Sequence, residues 1–142
     1  MVDYEGDNSF RLESGQELPV VQYTLDRPTV DAYLNAVEES SRIYQETGLV
    51  PPTAIAALAM AAIAEGTEFP PGSIHVSQKL DFKHSVHIGD TIFCHSRIGR
   101  SYKRAGMHLI TVELRVENAE TREVLTGELS FIAPQENRAE GK

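Results

Sequence analysis

Residues 54–64 read Ala54-Ile55-Ala56-Ala57-Leu58-Ala59-Met60-Ala61-Ala62-Ile63-Ala64, apolar at every position. A surface helix carries an apolar stripe and a polar face, so a helix hydrophobic all round is expected to be covered on every side by protein or lipid. These eleven residues rise only about 16 Å as a helix, roughly half of a bilayer core, which argues against a membrane span. From Ile74 onward the chain changes to short segments of alternating polarity. One buried helix wrapped by a curved antiparallel sheet is the arrangement this predicts, an α+β class.

Upstream of the apolar run, Pro51-Pro52 enforces an extended approach and Thr53 is placed to cap the helix. Gly48 reads as a helix C-cap or turn. Val30, Tyr33, Leu34 and Val37 fall at i, i+3, i+4 and i+7, an amphipathic helix with Asp26 as its N-cap and Pro28 in its first turn. Pro19 to Leu25 reads as a short strand. Downstream, Glu65-Gly66 ends the apolar helix and Pro70-Pro71-Gly72 turns the chain. Ile74, Val76, Gln78, Leu80 and Phe82 then alternate with His75, Ser77, Lys79, Asp81 and Lys83, a half-buried strand with Gln78 as the anomaly on its apolar face. Ile88-Gly89-Asp90 turns into strands at Thr91–Tyr102 and Met107–Glu117, joined around Arg104-Ala105-Gly106. Ile110, Val112, Leu114 and Val116 are expected inside, as are Leu125, Leu129 and Phe131 of a last strand over Val124–Ile132.

At 142 residues and 41% hydrophobic, the chain fits a single domain, with a core over about residues 15–132 and termini expected to fray. A net charge of −8 argues against nucleic acid or an anionic membrane surface as the main partner. The single cysteine, Cys94, predicts a reducing compartment. The acidic N-terminus lacks the basic and apolar regions of a signal peptide, so the expected location is cytoplasmic. Cys94 alternates with Ile92 and Ile98 and reads as a buried, inert thiol. His84, His87, His95 and His108 have no metal-ligand spacing, and no metal is expected. A single sheet on one helix leaves an open edge and an outer face, which predicts a homodimer or a heteromer.

In order and spacing these segments resemble the hotdog fold, specifically the MaoC-like hydratases and dehydratases of acyl thioesters. The resemblance spans Gly15 to Ile132 and rests on Gly15-Gln16-Glu17-Leu18-Pro19, the helix from Thr29 to Val37, and Gly48-Leu49-Val50-Pro51-Pro52-Thr53. It continues through Ile74–Phe82 and Val86-His87-Ile88-Gly89-Asp90-Thr91. Active members carry an aspartate and a histidine on the segment before the central helix, where they activate water for syn hydration of an enoyl thioester. Glu39 stands at the aspartate position and Tyr44 at the histidine position. A phenol, which ordinarily titrates at about 10, is a poor base at neutral pH. Tyrosine at this place is similar to the FAS1-like, non-catalytic half of paired dehydratases, in which a catalytic and a binding hotdog associate.

The resemblance therefore implies an acyl thioester substrate, with coenzyme A or phosphopantetheine entering as part of it and no separate cofactor. It also implies a second hotdog subunit, as homodimer or heteromer. Thr53 and Ala54 at the start of the apolar helix are the expected donors to the thioester oxygen. His75 and Gln78 are expected beside the groove, Gln78 either lining it or tying down the preceding loop. Arg100, Lys103 and Arg104 form the basic cluster, suited to the phosphates of coenzyme A or of a phosphopantetheine arm. Two other functions stand beside this one. A hotdog thioesterase needs a carboxylate on or beside the central helix, which here offers none before Glu65. A non-enzymatic module that binds or senses acyl thioesters needs none.

Overall fold

Pro52, whose missing N–H is harmless in a first turn, opens a run of strong helix formers that gives the longest helix of the chain. The computed structural model describes residues 12–134; the expectation of frayed termini falls mostly on residues outside them. In chain order the elements are β1 (Val21–Thr24), α1 (Arg27–Ala36), α2 (Arg42–Thr47), α3 (Pro52–Gly66), β2 (Ile74–Phe82), β3 (Thr91–Arg104), β4 (Met107–Asn118) and β5 (Glu123–Pro134). The strands form one antiparallel sheet in the order β1-β3-β4-β5-β2, and α3 lies on its inner face, the predicted α+β arrangement. Among the described residues no helix is long and apolar enough to cross a membrane.

Two features of α3 differ from expectation. Ile55, Ala59, Ala62 and Ile63 are buried, but Ala57, Ala61 and Ala64 form an exposed stripe along the other side. One copy of the sheet is too narrow to enclose the helix, so the covering that an all-apolar helix calls for is incomplete within one chain. The second difference is at its start. Thr53 is not the cap; that position is Pro51, with no side-chain capping bond, and Thr53 lies within the first turn, two residues further on. The caps predicted for the other helices are present. Asp26 accepts from Thr29 N at 2.9 Å, a bond that holds its carboxyl below the usual carboxylate range. Gly48 closes α2 in the left-handed conformation, φ 74°.

Ile110, Val112, Leu114 and Val116 are buried as expected, opposite Ile98, Ser96 and Cys94 on β3 and Leu129, Gly127 and Leu125 on β5. The β3–β4 hairpin closes through Ala105 and Gly106, both at positive φ (53° and 79°), the signature of a type I′ turn. Alanine is strained there and asparagine is not. Ala105→Asn is expected to raise stability by about 0.5–1 kcal/mol in urea unfolding; an unchanged midpoint would show that the turn relaxes around alanine.

The alternation read for β2 needs correcting. A bulge between His75 and Ser77 breaks the period, so His75, Gln78, Leu80 and Phe82 share the inner face with Phe131, Leu129, Gly127 and Leu125, while Ile74 pairs with Ile132 on the outer one. The strand is also an edge, and Ile74 (61%), Val76 (49%) and Phe82 (43%) are exposed rather than half-buried. Gln78 is exposed too, so no desolvation cost requires it to be hydrogen-bonded.

Ahead of β1 the chain continues along β3. Leu18 N donates to Ser96 O at 3.0 Å and Gly15 N to Ile98 O at 2.7 Å. Leu12 is buried, and its carbonyl accepts from the Ser101 hydroxyl, which also lies 2.8 Å from His108 Nε2. A serine has one proton to give, so with Leu12 as its acceptor the imidazole must donate through Nε2. Burial, and then Lys103, pushes the pKa of His108 down. The unfolded chain therefore binds a proton that the folded chain resists, and stability falls as pH drops below the unfolded histidine value of about 6.5. The loss levels off below the depressed folded value. His108→Gln should flatten the pH dependence of the urea midpoint between about pH 5 and 8 relative to the parent; identical slopes would assign it to other groups.

Candidate functional site

The start of α3 is where two of the predicted substrate contacts, Thr53 and Ala54, meet α1. The α1 pattern turns Val30 and Leu34 into the core and leaves Tyr33 half-buried at its margin, while Val37, expected on the same apolar face, is exposed. Tyr33 reaches across to α3, its hydroxyl 2.6 Å from Thr53 Oγ1. Between the two helices lies a cavity of about 110 Å³. Leu25, Val30, Val50 and Ala54 are its buried floor, and Thr29 and Ala57 stand exposed at its rim. Tyr33 and this cavity were not singled out in the sequence. Tyr33 sits at i+3 of an apolar stripe and reads as core until its hydroxyl is seen.

Of the two expected oxyanion donors, Ala54 is already engaged, since its N–H donates to Pro51 O at 2.9 Å. Thr53 is exposed on the first turn, where the positive end of the helix dipole favours developing negative charge.

Glu39 and Tyr44 occupy the segment between α1 and α3. The exposed Glu39 folds onto its own loop, its carboxylate accepting from Ser41 N at 3.0 Å. Tyr44, on α2, is partly buried against the core. Among the described residues no hydrogen bond joins them, so they are neighbours in sequence without forming a proton-transfer pair.

On β2, His75 Nε2 lies 3.0 Å from Ser77 O, and its ring stacks on Phe131 (centroids 4.8 Å), which stacks in turn on Phe69 (4.5 Å). Gln78 stands exposed on the same inner face. The basic cluster is elsewhere. Arg100, Lys103 and Arg104 are exposed near the tip of the β3–β4 hairpin, where Arg104 pairs with Met107 and Met107 with Pro134 at the end of β5. Pro52 and Ile55 of α3 instead line a hollow with Phe82 and Val124, at the beginning of β5. Within one chain, then, Thr53 and the basic cluster lie at opposite ends of the sheet.

A wider depression of about 400 Å³ on the sheet surface is lined by Glu17, His95, Arg97, Glu113 and Arg115. Its charges neutralise one another. Arg97 pairs with Glu113 at 2.6 Å and Arg115 with Glu117, which also lies 3.4 Å from His95. Cys94 is buried as expected, and burial pushes its thiol up to about 12. It is therefore expected to resist alkylation at pH 8 in the folded chain and to react on unfolding; labelling of the native protein at the unfolded rate would contradict this.

Residues 13–127 match the family described as "FAS1-like, dehydratase domain region". No curated protein matches the sequence. The fold is similar to that of the (R)-hydratase PhaJ1 from Pseudomonas aeruginosa, at 24% identity and a TM-score of 0.72 over 88% of this chain and 84% of that one. It is similar to the (R)-hydratase of A. caviae involved in PHA biosynthesis (21%, TM-score 0.69, 87% and 98% covered). It also resembles the HadBC (3R-hydroxyacyl-ACP dehydratase) complex of Mycobacterium tuberculosis (17%, TM-score 0.67, 84% and 96% covered).

Proposed function

The chain belongs to the FAS1-like dehydratase family, and on that premise we propose that it binds acyl thioesters as the non-catalytic hotdog of an enoyl-thioester hydratase or 3-hydroxyacyl dehydratase assembly, working in the cytoplasm. The observation that carries this reading is the state of the two motif positions. Glu39 is occupied by its own loop, Tyr44 packs inward, and no bond connects them. Hydration adds water across the C2=C3 bond, a hydroxyl to C3 and a proton to C2. Both steps need a base and an acid held at the substrate, and here a partner subunit supplies them. This chain contributes the first turn of α3, with Thr53 facing the thioester oxygen, and the apolar surface around it.

Association is supported by two surfaces. β2 presents an unpaired backbone edge with exposed Ile74, Val76 and Phe82, and α3 presents its alanine stripe. The HadBC neighbour is a complex of two chains, which favours a heteromer over a homodimer here. Pairing of two antiparallel β2 edges also brings the hairpin end of one subunit toward the α3 start of the other. Across such a pair Arg100, Lys103 and Arg104 reach the phosphate of a coenzyme A or phosphopantetheine bound at the neighbouring helix start.

The test is the loss of the conjugated enoyl-thioester absorbance with a series of trans-2-enoyl-CoAs. The purified chain alone is expected to give no turnover, and the complex co-purified with a second hotdog subunit is expected to turn over with Glu39→Ala no slower than the parent. Turnover by the isolated chain that falls in both Glu39→Ala and Tyr44→Phe would overturn the reading in favour of a stand-alone hydratase. Free thiol released from acyl-CoA would make the chain a thioesterase. Thermal stabilisation by acyl-CoA, with no turnover in any assembly, would leave a binding module.

A further inference from the structure

We infer that Tyr33 is the positioning residue of the thioester contact: it donates its phenolic proton to Thr53, so that the Thr53 hydroxyl is left to donate to the substrate. The inference rests on the acyl-thioester reading above, which gives Thr53 its place, and goes beyond it by adding a residue that no motif marks. The two side chains belong to different helices. Tyr33 is carried by α1, which Val30 and Leu34 anchor in the core, and its ring packs against that core. Thr53 stands exposed in the first turn of α3. Their hydroxyls meet at 2.6 Å.

Each hydroxyl has one proton to give, so the bond between them can run in either sense. A phenol is the stronger donor and an alkyl hydroxyl the stronger acceptor, so the shared proton is the tyrosine's. Among the described residues Thr53 Oγ1 has no other hydrogen-bond partner, and its own proton is free. Threonine in a helix divides between two χ1 rotamers. The bond from Tyr33 selects one of them and so fixes where the free proton can point. The run from phenol to hydroxyl to thioester oxygen is also cooperative, each bond polarising the next. As the reaction moves electrons onto that oxygen, both bonds strengthen together at the positive end of the helix dipole. The gain is made in the transition state, so it is read in kcat rather than in KM.

The test is a double-mutant cycle on the complex co-purified with a second hotdog subunit, using the trans-2-enoyl-CoA that it hydrates fastest. Thr53→Val is expected to lower kcat about 100-fold, the worth of one oxyanion donor. Tyr33→Phe keeps the packed ring and should lower kcat about tenfold, with KM within about twofold of the parent. The double variant should be no slower than Thr53→Val alone, because Tyr33 acts only through that hydroxyl. Thr53→Ser, which keeps the hydroxyl, should retain most of the rate. Three results overturn the role of Tyr33 and leave the acyl-thioester reading standing: Tyr33→Phe at the parental kcat, a raised KM with kcat unchanged, or costs that multiply in the double variant. Thr53→Val at the parental rate overturns it too, and removes Thr53 from the site. Absence of turnover in every assembly overturns the reading and this inference together.

Discussion

Gly127→Val is expected to cost about 3 kcal/mol of stability and to free β2 from the sheet. An ideal Cβ at Gly127 lies 2.7 Å from Lys79 O and 2.8 Å from Leu80 Cδ2. The leucine methyl can rotate away, but the carbonyl belongs to the backbone that β5 pairs with. Relief therefore requires β2 to move as a strand, at the one place where it meets the rest of the molecule edge to edge. Amide exchange should accelerate over residues 74–82 while β3 and β4 remain protected, and any association through β2 should weaken with it. A cost under about 1 kcal/mol with β2 still protected would mean that the β5 backbone yields instead.

Ile55→Ala is expected to lose about 3 kcal/mol, in the range for truncating a buried aliphatic. Ile55 is 1% exposed and anchors the first turns of α3 on the sheet. It borders the hollow of about 200 Å³ beneath Phe82 and Val124, so the space left by truncation joins one already present and little material is available to refill it. Alanine returns only a few tenths of a kcal/mol in helix propensity. The same helix supplies its own control. Ala57→Ser, on the exposed stripe, should change the urea midpoint by no more than about 0.5 kcal/mol. Equal losses at the two positions would show that the stripe is covered in solution, and the difference between dilute and concentrated protein would then report the covering chain.

What the sequence revealed and concealed follows from the range of the interactions involved. The inward faces of β4 and β5 were legible because alternation is local and the buried set (Ile110, Val112, Leu114, Val116, Leu125, Leu129) is purely apolar. The caps Asp26 and Gly48 were legible for the same reason, each being decided within a few residues. The bulge at Val76 was not, because register is set by a partner strand some 50 residues away and not by the pattern of β2 itself. The all-apolar α3 correctly announced a helix needing cover, but composition does not say how much of that cover one chain provides. At the candidate site, Glu39 and Tyr44 were singled out only through resemblance; the orientation of Glu39 follows the Ser41 amide and that of Tyr44 its packing against the core, neither of which a motif encodes. For Thr53 the structure corrects only the cap. It was expected as a cap, and its hydroxyl is instead held by Tyr33.

The position of β2 also has a consequence for how the chain is made. Its partner β5 lies roughly 40 residues further along, and a ribosome adding about 5–20 residues per second needs about 2–8 s to deliver it. For that interval Ile74, Val76, Leu80 and Phe82 have no strand to pair with, while the β3–β4 hairpin closes locally beside them. Lys79, Asp81 and Lys83 are interspersed through or just beyond the same segment, and charges so placed act as gatekeepers against pairing with another nascent chain. Neutralising them would leave the finished fold nearly untouched and would lower the yield of protein that reaches it.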